Sequence, residues 1–206
     1  MKLYDLPLSP NARLAKIVAL ESDVQLELVT VDFAKNEHKS PKFMAMNPNG
    51  KVPVLQDGDF TLWESCAIAT YVATKRPNAG LVPTDAKGRA DVDRWMFWKS
   101  CHLGPAVGKI TYERVFKPMF KMGAADEKMV TAGYEELERF AGVLDGHLAK
   151  NQFVANNKLS VADFTLAMTF MYRDAAKLDI SKWKNIAGWL KRIEARPSWA
   201  ATAPKA

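Results

Sequence analysis

Asn47-Pro-Asn-Gly-Lys-Val-Pro-Val-Leu-Gln-Asp-Gly-Asp-Phe-Thr-Leu-Trp-Glu-Ser-Cys-Ala-Ile68 places three local signals side by side. Val52-Pro53-Val54-Leu55 reads as a strand entered through proline. Phe60-Thr61-Leu62-Trp63 reads as its hairpin partner, because Asp57-Gly58 between them is a turn pair. Glu64 then starts a helix whose Ile68, Tyr71 and Val72 are spaced to face a core. A hairpin that runs straight into a helix N-terminus crowds free backbone donors and acceptors together, which points to a ligand site as well as to packing.

Upstream of this stretch, residues 2 to 6 alternate as a short strand until Pro7, Ser9, Pro10 and Asn11 break the pattern. A helix is expected from about Asn11, with Leu14, Ile17 and Val18 on one face. Leu26, Leu28 and Thr30, alternating with Glu27, Val29 and Val31, predict a second strand that is mostly buried. A polar connection carrying His38, Lys39 and Lys42 leads to a short helical piece over Pro41 to Met46. The order is therefore βαβ, α, ββ, α, the layout of a thioredoxin-like α/β domain with a mixed four-stranded sheet, expected over residues 1–77.

Downstream, Pro77-Asn-Ala-Gly-Leu-Val-Pro83 interrupts the pattern, and residues 78–85 read as a linker. From 86 to 206 strand patterns vanish and helical periods dominate, so the second domain is expected to be an all-α bundle. Val92, Trp95 and Met96 mark one helix, and Val130, Tyr134, Leu137, Ala141, Leu144 and Leu148 a long second one. Trp183, Ile186, Ala187, Leu190 and Ile193 mark another, ended by Pro197. In Leu159-Ser-Val-Ala-Asp-Phe164, Ser160 and Asp163 have capping-box spacing and Leu159 can staple onto Phe164, which assigns this motif to folding.

Composition excludes several classes. The chain has 206 residues, 48% hydrophobic and 25% charged, without low-complexity tracts, as expected of a globular protein. Its net charge of +6 comes from bases interspersed with acids, and no nucleic-acid motif accompanies it, so a mildly basic surface, or attraction for a small anionic ligand, is expected. Cys66 and Cys101 form no Cys-x-x-Cys pair and make neither a disulfide framework nor a metal site. No apolar run is long enough to span a bilayer, and Met1 leads directly into a strand, so a cytoplasmic protein is expected.

Ser9-Pro-Asn-Ala-Arg13, Glu37-His-Lys39, Asn47-Pro-Asn-Gly-Lys-Val-Pro53, Trp63-Glu-Ser-Cys-Ala-Ile68 and Ser160-Val-Ala-Asp-Phe164, in this order and spacing, resemble the cytosolic glutathione transferases over the whole chain. The resemblance is to the serine-type branches (phi, theta, delta and bacterial relatives), and Glu-His-Lys with the Asp-Gly-Asp hairpin leans toward phi. It implies an enzyme that adds the thiolate of glutathione, its cosubstrate, to small hydrophobic electrophiles, without a metal. It also implies a homodimer, with no role for nucleic acid or membrane. Relatives commonly carry a bulky aromatic where this chain has Asn49 and an arginine where it has Cys66, so a differently held dimer is expected.

The same resemblance assigns the site. Val52 and a cis Pro53 would exchange backbone hydrogen bonds with the cysteinyl unit of glutathione; read alone, Pro53 could equally be a trans residue of an edge strand. Ser65 would take the γ-glutamyl carboxylate and Glu64 the α-amino group, the plain alternative being a helix cap. His38, Lys39 and Lys51 match positions at the glycyl end, Lys39 foremost. Ser9 would donate to the sulfur and hold it as thiolate, with Asn11 as second donor and simple capping by Ser9 as the rival reading. Ser9-Pro-Asn-Ala12 lies where redox relatives carry Cys-Pro-x-Cys, and without sulfur disulfide exchange is disfavoured. Leu8, Trp98, His102 and Tyr112 are the candidate lining of the electrophile pocket, drawn from a group that includes Trp95 and Cys101. Peroxide reduction, dehalogenation, isomerisation and a non-catalytic ligand-binding role on the same fold remain open.

Overall fold

The computed structural model describes residues 1–204, which divide into two compact units. The first begins at Met1, runs to Thr84 and resumes at Arg196; the second is Asp85–Ala195. The expected helical domain from 86 to the C-terminus is thus shorter at its far end, because the chain from Arg196 onward returns to the first unit.

In the first unit the order is β1 (Lys2–Asp5), α1 (Pro10–Glu21), β2 (Glu27–Thr30), a 3-10 turn over Glu37–Lys39, α2 (Pro41–Met46), β3 (Val54–Asp57), β4 (Phe60–Trp63) and α3 (Ser65–Thr74). The sheet is mixed, in the order β2-β1-β3-β4, with β1 parallel to β2 and antiparallel to β3. Leu14, Ile17 and Val18 of α1 and Ile68 and Val72 of α3 are fully buried, as their spacing requires. A smaller core joins Val31, Phe43 and Val54 with Tyr4, Phe33, Met46 and Val52.

Two sequence expectations change here. β3 begins at Val54, not Val52, so Val52 and Pro53 precede the sheet ladder. β2 is not mostly buried: it is an edge strand, and Leu28 is 51% exposed. Alternation of apolar residues reports which side chains share a face, and cannot tell whether anything covers that face.

The C-terminal segment contains α10 (Pro197–Ala201) and is clamped to α1. Arg13, 4% exposed, donates to the Trp199 carbonyl at 2.7 Å and the Thr202 hydroxyl at 3.2 Å, and its guanidinium lies 4.4 Å from the Trp199 ring centroid. Glu21 accepts a two-pronged ion pair from Arg196 at 2.6 and 2.8 Å and a hydrogen bond from Ser198. Arg196 and the Ser198 hydroxyl hold the Glu21 carboxyl below its ordinary value against the opposing pull of burial.

The second unit is helical throughout its regular structure among the described residues, and its longest run spans Ala86 to Met119. It comprises α4 (Ala86–Trp98), a π turn over Lys99–Leu103, α5 (Gly104–Thr111), a second π turn over Tyr112–Phe116 and α6 (Lys117–Met119). Each π turn immediately precedes a residue followed by proline, Gly104-Pro105 and Lys117-Pro118. A proline lacks the N–H and its ring clashes with the carbonyl four residues back. The widened turn, in which Gly104 donates to Lys99 and Lys117 to Tyr112, carries the helix past both.

α7 (Glu127–Leu148), α8 (Val161–Ala167) and α9 (Lys184–Glu194) complete the unit. Val130, Leu137, Ala141, Leu144 and Leu148 of α7 are buried as expected, but Tyr134 is 38% exposed and donates to the Lys177 carbonyl at 3.4 Å. Asp145 of α7 caps α9, accepting the N–H groups of Asn185 and Ile186 at 2.9 and 3.0 Å. The Ser160–Asp163 box opens α8 as the spacing requires.

Gly133 sets how closely α5 and α7 approach. A Cβ at this position would lie 2.8 Å from Cγ1 of Ile110 and 2.9 Å from the Ala106 carbonyl. Gly133→Ala is expected to lower stability by about 1–3 kcal/mol in urea unfolding. Gly142→Ala, with nothing within 4 Å of the new methyl, should leave stability unchanged or raise it by up to about 1 kcal/mol.

Candidate functional site

The candidate residues of the first unit gather around the starts of two helices. Ser9 is the N-cap of α1: its Oγ accepts the Ala12 N–H at 3.2 Å, and Pro10 occupies the first turn, where a missing N–H costs nothing. A hydroxyl can accept and donate at once, so this cap leaves the Ser9 proton able to point elsewhere. The capping role and the donor role are therefore compatible.

Ser65 opens α3 and is buried, and its hydroxyl donates to Oδ1 of Asn11 at 3.3 Å. This bond joins the first turn of α1 to that of α3, so two sets of unpaired backbone N–H groups and two positive dipole ends face one neighbourhood. Glu64, immediately before α3, is exposed and held at φ 73°, ψ 115°. That conformation is unusual for a residue with a side chain, and such strain concentrates at ligand sites.

Val52–Pro53 is the cis peptide bond of the described chain. Val52 lies just ahead of the ladder that β3 forms with β1, so its N–H and C=O are not used by that pairing. The loop before it is organised by Asn47, which is 3% exposed. Its Nδ2 donates to the Lys51 carbonyl at 2.7 Å, and its Oδ1 accepts from the backbone and side chain of Asn49 at 3.0 and 2.9 Å. Asn49 is thus turned back onto its own loop.

The basic candidates also converge. Gly50, at φ 60°, is closely approached: a Cβ there would stand 3.2 Å from the His38 carbonyl and 3.3 Å from Sδ of Met44. The turn carrying His38 and Lys39 therefore lies against the segment leading to Lys51. His38 stacks on Phe33, ring centroids 4.0 Å apart and planes 9° from parallel. Lys39 and Lys51 are exposed, with no ion pair among the described residues.

Leu8, half-buried, adjoins Ser9 in the first unit; Trp98, His102 and Tyr112 belong to the second. Within that unit the three do not form one lining. Trp98 and His102 cluster with Phe140 of α7, at centroid distances of 6.2 and 5.1 Å. Tyr112 stands 10 residues beyond His102, roughly 15 Å along the helical run. It meets Lys117 and Met122 instead. Phe116, one turn on from Tyr112, packs on Tyr172 with centroids 5.2 Å apart, and stacks on Phe120. Sequence reading quoted Asn47 without giving its side chain a role, and passed over Phe33, Phe116, Phe120 and Tyr172. The four-residue spacing of Tyr112, Phe116 and Phe120 was the available signal for one aromatic stripe.

Comparison with known proteins bears on this arrangement. The family model described as glutathione S-transferase, N-terminal domain, matches residues 1–74, and the one described as glutathione S-transferase, C-terminal domain, matches residues 107–197. The chain belongs to the glutathione S-transferase family. It is 36% identical over 200 residues to a probable glutathione S-transferase, GSTF2, of Oryza sativa subsp. japonica, covering 96% of this chain and 93% of the relative. A crystal structure of glutathione transferase F2 from Populus trichocarpa superposes with a TM-score of 0.91 at 28% identity, covering 98% of this chain and 96% of that one. Glutathione S-transferase I from maize, in complex with an atrazine glutathione conjugate, gives a TM-score of 0.90 at 30% identity, over 98% and 95% of the two chains. The plant relatives are phi-class members of the glutathione S-transferase family, the branch toward which Glu37-His38-Lys39 leans.

Proposed function

We propose that this chain is a glutathione transferase that conjugates the thiolate of glutathione to small hydrophobic electrophiles, with glutathione as cosubstrate and no metal. The observation that carries the reading is the Ser65–Asn11 hydrogen bond of 3.3 Å, which sets the starts of α1 and α3 side by side. An anionic tripeptide suits that place: a thiolate at the Ser9 end of α1 and a carboxylate at the start of α3 each gain from unpaired N–H groups and a positive dipole end.

In this reading Val52 pairs with the cysteinyl backbone, Ser65 binds the γ-glutamyl carboxylate, Glu64 meets the α-amino group, and Lys39, with His38 and Lys51, takes the glycyl carboxylate. Ser9 is the electrostatic donor to sulfur and does not itself attack. Each pKa unit by which it lowers the thiol corresponds to about 1.4 kcal/mol, within reach of one charge-assisted hydrogen bond. Leu8, Trp98, His102 and Tyr112 remain the candidate contacts for the electrophile.

The protein works as a homodimer in the cytoplasm, removing electrophiles. Asn49, bonded back to Asn47, leaves the Asn47–Lys51 loop without a projecting aromatic, and exposed Phe60 and Trp63 of β4 offer apolar area for the partner instead.

Calorimetric titration with glutathione, followed by conjugation of a chlorodinitrobenzene, tests the proposal. Saturable binding and turnover are expected; no heat with glutathione would overturn it. Lys39→Ala should raise KM for glutathione about three- to tenfold with kcat nearly unchanged, as for loss of one exposed charge-assisted bond.

A further inference from the structure

The segment between α6 and α7 presents a sulfur that the glutathione reading does not use. Met122, 57% exposed, is the most exposed of the chain's nine methionines. Its backbone is fixed. Lys121 stands in the left-handed region at φ 54° and donates to the Pro118 carbonyl at 3.2 Å, while the Met122 N–H donates to the Lys117 carbonyl at 2.9 Å. Together the two bonds form a Schellman turn that closes α6. Both feet of the segment meet the buried Glu113, whose carboxylate accepts from Lys117 Nζ at 2.6 Å and from the Asp126 N–H at 2.7 Å.

From this turn the Met122 side chain reaches back 10 residues to Tyr112, whose hydroxyl donates to Sδ at 4.0 Å. A thioether is a weak acceptor, so the tip of the segment is held loosely although its feet are tied. The gap exceeds an ordinary O–H···O bond, about 2.7–2.8 Å, by about one covalent bond length. An oxygen carried on the sulfur therefore fits between the two groups. Exposure leaves the sulfur open to a small oxidant, and oxidation turns this flexible apolar side chain into a polar one.

We propose that Met122 is an oxidation site for peroxides, and that its sulfoxide locks the segment from Lys117 to Asp126 onto Tyr112. A lone pair of Sδ attacks one peroxide oxygen, the S–O bond forms and the O–O bond breaks. Sulfur gives up two electrons, and the other peroxide oxygen leaves with the peroxide's protons as water, or as an alcohol from an organic hydroperoxide. The sulfoxide oxygen then accepts from the Tyr112 hydroxyl at ordinary hydrogen-bond distance. Methionine sulfoxide reductases reverse the modification, which makes the lock a switch. The proposal does not depend on the transferase reading.

Brief treatment of the full chain with hydrogen peroxide, followed by peptide mass mapping, tests the site. One oxygen is expected on Met122 before Met119 and Met129, each 42% exposed. Hydrogen exchange over residues 117–126 tests the lock. Exchange in the oxidised protein should be about two- to tenfold slower than in the reduced protein, the factor one net hydrogen bond supplies, and should recover after reductase treatment. In Tyr112→Phe, Met122 should still be oxidised but the slowing should vanish; in Met122→Leu, peroxide should leave exchange unchanged. Earlier oxidation of Met119 or Met129, unchanged or faster exchange in the oxidised wild type, or slowing that persists in Tyr112→Phe would each overturn the proposal.

Discussion

Ser9→Ala is expected to reduce kcat for conjugation about 10²-fold or more, the usual cost of removing one preorganised donor to a developing or resting anion. KM for glutathione should change little, because the carboxylates and backbone of the tripeptide are held by other residues in the proposed site. The variant also loses the bond from the Ala12 N–H to Ser9 Oγ, 3.2 Å in the structure, which should lower stability by about 1 kcal/mol, the ordinary value of a serine N-cap. Stability and turnover therefore separate the two roles of one hydroxyl. If Ser9 were only a cap, the thiolate absorption of bound glutathione would titrate at the same pH in both proteins. If it is the sulfur donor, that titration moves upward in Ser9→Ala, and kcat follows it. Asn11→Ala should cost less, since the Asn11 carbonyl is engaged by Ser65. Full activity of Ser9→Ala alongside an inactive Asn11→Ala would transfer the donor role to Asn11.

The largest loss of stability is expected at Asp163. Its side chain is fully buried and accepts four donors: the N–H of Val154 at 3.0 Å, Nε1 of Trp189 at 2.9 Å, and the N–H and hydroxyl of Ser160 at 3.0 and 3.2 Å. One carboxylate thus ties the loop before α8, the start of α8 and the middle of α9. Asp163→Ala strands all four donors away from water, and a loss of about 3–5 kcal/mol is expected in denaturant unfolding, a large share of an ordinary domain's stability. Asp163→Asn, which keeps shape and one acceptor, should lose less.

This group also gives a pH signature. Burial pushes the Asp163 carboxyl up to about 6, against the pull of the bonds from Val154, Trp189 and Ser160. With the folded value above the unfolded one, the native state holds the proton more tightly. The contribution of Asp163 to stability is thus largest below about pH 4 and is lost as pH rises through about 6, by up to about 3 kcal/mol. Glu21, Asp57 and Glu113, whose values are lowered, act in the opposite direction at acid pH, so the difference between wild type and Asp163→Asn is the informative measurement. That difference should shrink between pH 4 and pH 7; a constant difference would rule out the titration.

Most of the first unit was legible because its signals are local. Asp57-Gly58 dictates a hairpin, Ser9-Pro10 a helix start, and Leu14, Ile17 and Val18 a buried stripe, and each is where its spacing requires. Leu28 misled because alternation carries no information about the covering layer; only the edge position of β2 decides it. Spacing along the sequence did not show that Trp98 and His102 would cluster with Phe140 while Tyr112 meets Lys117 and Met122. The continuity of the run from Ala86 to Met119 passes through two π turns that prolines conceal. Asn47 was quoted for its motif, but its work is a set of side-chain bonds to Asn49 and Lys51, and these are visible only once the loop has closed. The clamp of Arg13 and Glu21 on Trp199, Ser198 and Arg196 spans some 175 to 189 positions of sequence, a separation over which no pattern reports.

That clamp bears on how the protein is made. The first unit is encoded discontinuously, and Arg13, buried in the finished structure, meets the Trp199 carbonyl and the Thr202 hydroxyl only when residues 199 to 202 have left the ribosome. During synthesis the sheet and α1 can form early, but Glu21 must wait for Arg196 and Ser198 until the whole helical unit has been translated. Emergence of residues 196 to 202, rather than of the first 84 residues, is the event that completes the unit bearing Ser9.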